Sequence, residues 1–341
     1  MTENYIKSLQ GKPKYPQYQD YHWADYIELL CLANLDGEIS KMDILDRLAE
    51  REDDLEEGFA DDIEEMDNLD EEGLEMSSQR YRRYDKWMER IGSWFEILAS
   101  REQLYGQEYP FVVIDNDLVS DYDLNNQKHK YYLFLLFCSK LYLFDNTTSN
   151  MLSSYYEVFS FDGLKQFLPS SFCVELFGTN ELNESPEFGK GVTCLNKIKN
   201  LAKRLNENLV NGFKEDVYPD NNFGDAGLDL IAYAVTGDRQ PSNITLLGQC
   251  ACTTQWVDKQ SSSSFESWSS KINLTTVTIN TVFIPFCYRD ARGDWFDRSK
   301  IRKSFIIDRS RLVRFMQVTH PFSVEINEVL DAVIAAREEV I

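Results

Sequence analysis

Apolar and polar positions change period along this chain, and the changes predict its elements. Trp23, Tyr26, Ile27, Leu30 and Cys31 mark one face of a helix. The turn string Asn34-Leu35-Asp36-Gly37 ends it. Ser40, with Asp43 three residues on, predicts a helix N-terminus and a helix to about residue 51. A long helix is expected over 78–103, with Trp87, Ile91, Trp94, Phe95 and Leu98 as its buried stripe. Residues 109–115 read as a buried strand, 131–144 as a core helix and 150–167 as a helix pair. Residues 1–20 are polar, contain Pro13 and Pro16, and read as an arm or loop.

The pattern changes after the polar segment 180–186, which is the expected domain boundary. An amphipathic helix is expected over 192–213, then short strands at 215–218, 228–235 and 244–252. A short helix at 265–272, β-rich runs at 276–287 and 303–308, and helices at 309–317 and 323–339 complete the reading. The expected class is α+β. A mainly helical N-terminal region (1–180) precedes an α/β part (187–341) with a central mixed sheet flanked by helices.

Charge modifies this picture. The chain carries a net −22, which repels nucleic acid at long range. Residues 50–75 alone hold fifteen Asp or Glu against the single Arg51. That tract reads as a solvated segment, with mimicry of DNA or autoinhibition of a basic groove as the alternatives. Outside it the chain is only mildly acidic, so its C-terminal half has room for a basic groove. Seven scattered Cys, an odd number, argue against a disulfide framework and for a reducing compartment. The N-terminus lacks a signal pattern, and the longest apolar run, 131–138, is too short to span a bilayer. A cytoplasmic protein without membrane contact is expected.

Candidate chemistry concentrates in 222–259. Asp229 opens one apolar strand in Gly227-Leu228-Asp229-Leu230-Ile231-Ala232, and Gln249-Cys250-Ala251 closes the next. A hairpin brings those two ends together. Gly-Asp-x-Gly is also a common turn string, so an ordinary hairpin with an Asp in its turn is the competing reading. Cys250 and Cys252 face one way along a strand, and without nearby His they read as buried apolar thiols. His22 and His129 lack ligand partners. His320 precedes Pro321 with no matching Ser motif, which disfavours a Ser-His-Asp hydrolase. No phosphate-binding glycine loop is present.

The order helix, three strands, helix, strand, with this Asp and this Gln, resembles the PD-(D/E)xK superfamily. It is most similar there to restriction-endonuclease-like, Mrr-related domains, and the resemblance covers roughly residues 187–310. It implies Mg²⁺-dependent cleavage of DNA, with Asp229 and Gln249 as metal ligands and catalytic residues. Glu207 is the expected third ligand, supplied from the preceding helix. The lysine of the pattern would stand at 251, where this chain has Ala251. Lys259, or alternatively Lys271, is expected to replace it; otherwise the fold is an inactive scaffold binding protein or DNA. Membership of a prokaryotic anti-phage or restriction complex, with a partner protein such as an ATPase, is the implied setting.

Overall fold

The computed structural model describes residues 2–9, 19–49, 75–213, 215–318 and 321–338. The acidic tract, apart from Glu75, lies outside them. The described chain is mixed α and β, with one three-stranded and one five-stranded sheet.

Helix α1 (Thr2–Leu9) replaces part of the expected polar arm, because Tyr5, Ile6 and Leu9 bury themselves in the core. Helix α2 (Asp20–Ala33) is buried on all sides from Tyr21 to Ala33. Strand β1 (Glu38–Ser40) leads into α3 (Lys41–Ala49). Ser40 Oγ accepts from Asp43 N and Asp43 Oδ2 accepts from Ser40 N, the reciprocal cap that the sequence predicts. Helix α4 (Glu75–Tyr105) packs on α2, with Trp94 stacked on Trp23 at 4.5 Å. Strands β2 (Phe111–Ile114) and β3 (Asp117–Ser120) form a hairpin, and β1 pairs antiparallel with β3. Neither β1 nor β3 is expected from the sequence, since each is only three or four residues long.

Helix α5 (Gln127–Cys138) carries an almost fully buried apolar run. Residues 146–167 form one helix rather than two, α6 (Asn146–Phe167). Asp145 caps it by accepting from Thr147 N and Thr148 N. Its Gly163 lets Leu312 approach closely: a Cβ there would meet Leu312 Cδ2 at 3.2 Å. Strand β4 (Phe172–Leu176) follows, then α7 (Cys194–Arg204), capped by Thr193. Residues 215–217 form a 3₁₀ turn, not the expected strand, because nothing there pairs or is buried.

Strands β5 (Leu230–Ala234) and β6 (Thr245–Cys250) form the hairpin that the sequence predicts. Short helices α8 (Trp256–Lys259) and α9 (Phe265–Ser269) then cross to β7 (Ile279–Phe283). Strand β8 (Phe305–Ile307) and helices α10 (Arg309–Phe315) and α11 (Val324–Ala335) complete the chain. The large sheet runs β4-β5-β6-β7-β8. Its first three strands are antiparallel neighbours, and β7 and β8 join parallel to β6.

Alternation along the strands assigns their two faces. Leu230, Ala232, Leu246, Cys250, Phe283 and Ile307 join one core with α5, α6 and α10. Ile231, Tyr233 and Leu247 face the opposite way, onto Ile198 and Leu201 of α7 and Trp268 of α9. Val282 and Ile306 pack beside them against Trp256.

The expected boundary at 180–186 does not separate two cores. Strand β4 lies before it yet forms the edge of the large sheet, and one apolar cluster runs from Tyr5 to Ile334. Buried charges join the same two regions. Asp25 and Glu28 of α2 meet Arg101 of α4 and Arg309 of α10. Tyr109 and Tyr132 donate to Glu28 Oε1, and Arg309 Nε donates to the Pro285 carbonyl. Carboxylates placed inside a core require such partners.

Candidate carboxylate and lysine site

Asp229 stands one residue before β5, at the end of the sheet where β6 finishes. Its N–H donates to Gly248 O at 2.9 Å, and its carbonyl accepts from Phe177 N at 2.7 Å, so the backbone is fixed on both sides. The side chain turns toward the end of β6. Its Oδ2 accepts from Gln249 Nε2 at 2.5 Å and from Cys250 N at 2.6 Å. The sequence places these two residues twenty apart, and the structure brings them into direct contact.

Three further charged groups act on Asp229. Burial is the main cause that lifts its carboxyl well above the ordinary range; Glu157 and Asp225 add repulsion, while the Cys250 N–H and Lys259 oppose. Glu157 comes from the middle of α6. Its Oε2 accepts from Asn180 Nδ2 at 2.6 Å. Its carboxyl is also raised, first by burial, against the Asn180 bond, then by Asp225, with Lys259 pulling it down. Asp225 is set by a tight turn: its Oδ1 accepts from Gly227 N at 2.7 Å. Ala226 and Gly227 both adopt positive φ, 56° and 78°. A Cβ on Gly227 would lie 2.6 Å from Ser262 Cβ, so glycine is needed for both conformation and space.

Lys259 ends the one-turn helix α8, eight residues beyond the position where the resemblance expects a lysine. Its charge is felt by Asp229, Glu157 and Cys252. Ala251 itself is fully buried beside Trp256. A lysine at 251 would enter that apolar cluster. Lys271 lies elsewhere: Nζ donates to Ser267 O at 2.8 Å and sits over the Trp268 ring.

Glu207 is not brought to the site. Helix α7 ends at Arg204, before it. Glu207 clamps two loops instead, accepting from Thr275 N and Thr275 Oγ1, both at 2.9 Å, and from Ser242 N. The helix that supplies an acid to this end of the sheet is α6, through Glu157. Glu157 is the one acid in the run Tyr155-Tyr156-Glu157-Val158-Phe159, and that isolation is the only sequence signal for it. The thiols of Cys250 and Cys252 are pushed up, mainly by burial, as apolar cysteines should be. His129 ties a loop, accepting from Asp123 N and donating to Gln107 O.

Among the described residues, no three His, Cys, Asp or Glu converge as a metal cluster. Mg²⁺ needs less: it takes one or two carboxylates and keeps several waters. Asp229 and Glu157 could supply the carboxylates, since the Glu157 charge raises the Asp229 carboxyl and a cation would relieve that repulsion. Both hydrogen bonds to Asp229 fall on Oδ2. A cavity of about 740 Å³ lined by Asp162, Lys165, Gln166, Phe172 and Gln317 contains none of these groups. No family model, curated protein or solved structure matches the chain. Among the described residues no helix is long and apolar enough to cross a membrane.

Proposed function

We propose that this chain is a Mg²⁺-dependent DNA endonuclease with a restriction-endonuclease-like core formed by α6, the five-stranded sheet and the helices behind it. The observation that carries this reading is the buried Asp229 carboxylate at the end of the β5–β6 hairpin, held by Gln249 and the Cys250 N–H, with Glu157 and Lys259 near enough for their charges to act on it. The order α6, β4, then after α7 the antiparallel pair β5 and β6, short crossover helices and parallel β7 supports the reading, with α6 rather than α7 as the first helix and α7 as an insertion between the first two strands.

Glu157 and Asp229 would hold the ion, with Gln249 and the Cys250 N–H orienting the Asp229 carboxylate. When bound, Mg²⁺ neutralises phosphate charge and makes a coordinated water more acidic. Lys259 supplies a fixed positive charge next to the carboxylates, where negative charge develops as the phosphodiester is attacked. Asp225 adds a further acceptor for a water proton. Burial of Asp229 and Gln249 lowers the local dielectric, which strengthens each of these interactions. The setting proposed is an effector subunit of a prokaryotic anti-phage or restriction system. A partner such as an ATPase then brings DNA to this strongly acidic chain.

The buried Ala251 favours a second reading, an inactive nuclease-fold subunit that binds DNA or protein as a scaffold. Incubation of supercoiled plasmid with Mg²⁺ separates the two. Nicking or linearisation by the wild type, abolished in Asp229→Ala and in Glu157→Gln, is expected. Intact plasmid with the wild type, alone and with its native partner, would reject the nuclease.

A further inference from the structure

A concentrated exposed positive charge lies beside Lys259. Arg298, Lys300, Arg302 and Lys303 fall within six residues that contain no acid, in a chain of net −22. All four are exposed. Two make only solvent-exposed pairs, Arg298 with Asp294 at 3.5 Å and Arg302 with Asp258 at 3.7 Å. Such pairs contribute about 0–1 kcal/mol and yield readily to a stronger anion. Lys300 and Lys303 have no ion-pair partner among the described residues.

The segment is fastened to the site. Gln260, next to Lys259 and 1% exposed, spends both ends of its amide on it. Nε2 donates to Lys300 O at 2.8 Å, and Oε1 accepts from Arg302 N at 2.9 Å. The same Nε2 donates to Val257 O in α8, and Asn280 Nδ2 of β7 donates to Gln260 O at 2.7 Å. Asp258, the acid paired with Arg302, directly precedes Lys259. The cations are therefore held in fixed register with the lysine of the site.

We propose that Arg298–Lys303 is a phosphate-backbone contact surface for DNA, which seats a strand so that one phosphodiester lies at Lys259 and Asp229. The proposal rests on the nuclease reading for what happens to that phosphodiester, and on the charge and its anchoring for binding itself. The contact is to the backbone, so it carries no base specificity.

The test is fluorescence anisotropy of a labelled duplex with the full chain, in EDTA so that nothing is cut, over a range of salt. The variants are Lys300→Ala/Lys303→Ala and, separately, Lys190→Ala, an exposed lysine outside both the segment and the site. Both lysines are exposed, so an unchanged urea midpoint is expected to show that the double variant folds. Each phosphate contact contributes about −0.9 to the slope of log K against log salt. The double variant is expected to flatten that slope by about 2, equally for duplexes of different sequence. Lys190→Ala is expected to keep the wild-type slope. No binding by the wild type, or the same slope in the double variant, overturns the surface. With cleavage read in a separate Mg²⁺ incubation, cleavage absent with the slope change present leaves the surface standing and rejects the nuclease. Cleavage present with an unchanged slope does the reverse.

Discussion

Replacing Arg309 by Met should cost about 3–5 kcal/mol, because it breaks a buried charge network without creating a large cavity. Arg309 is fully buried, and its guanidinium serves four acceptors. These are Asp25 Oδ2 at 2.9 Å, Glu28 Oε2 at 3.4 Å, the Tyr132 hydroxyl at 3.1 Å and the Pro285 carbonyl at 2.8 Å. Met retains most of the apolar stem, so the loss is chiefly electrostatic. Burial alone would raise the Asp25 carboxyl; Arg309, then Arg101 and Lys140, bring it down from 3.8 to about 2. At about 1.4 kcal/mol per unit, that net difference is about 2 kcal/mol shared among these cations, with Arg309 the largest contributor. The lost donors to Glu28 and Pro285 supply the remainder, at about 1–3 kcal/mol for each group left unsatisfied. The sign for pH follows: this stability is present above 3.8 and is lost as pH falls toward about 2. Urea unfolding followed by tryptophan fluorescence measures the loss. Asp25→Asn and the double variant close a cycle whose coupling should be about 0.5–3 kcal/mol. A loss below about 1 kcal/mol for Arg309→Met would refute the reasoning. So would two separate transitions, since the network joins α2 to α10.

Gly227→Ala should destabilise by about 1–3 kcal/mol, since φ is 78° and the new Cβ strikes Ser262; in a Ser262→Gly background, thermal unfolding should recover part of the loss but not all. Asp229→Asn should raise the urea midpoint at neutral pH. The folded carboxyl titrates above its ordinary value, so the wild type loses stability as pH rises through that value, and the variant should lack this fall. Lys259→Met should lower plasmid cleavage by about 10²-fold or more, as read by single-turnover kinetics at saturating enzyme.

The β5–β6 hairpin is legible in the sequence because two apolar runs are bounded by turn residues, and because Asp229 and Gln249 lie at the ends that a hairpin joins. Asp25 and Glu28, by contrast, sit in a helix whose period marks only one face, yet every side of it is buried. Their neutralising partners, Arg101 and Arg309, are far away in the chain, and no local pattern announces them. Glu157 is hidden for the same reason. It precedes Asp229 by 72 residues and reaches it only because β4, an edge strand half-buried along its length, returns α6 to the sheet. Strand β4 lacks a clean alternation, and this is what made 180–186 resemble a boundary. The expected acid, Glu207, lies beyond the helix, which ends at Arg204.

The central claim is that Glu157, Asp229 and Lys259 form one divalent-cation site at the end of β5 and β6. Calorimetric titration of the full chain with Mg²⁺ at neutral pH tests it most directly. The account predicts one ion bound per chain, with proton release seen as a buffer-dependent enthalpy, because the two carboxyls start with raised proton affinity. Asp229→Ala should abolish both. No binding by the wild type, or identical binding by Asp229→Ala, would contradict the claim.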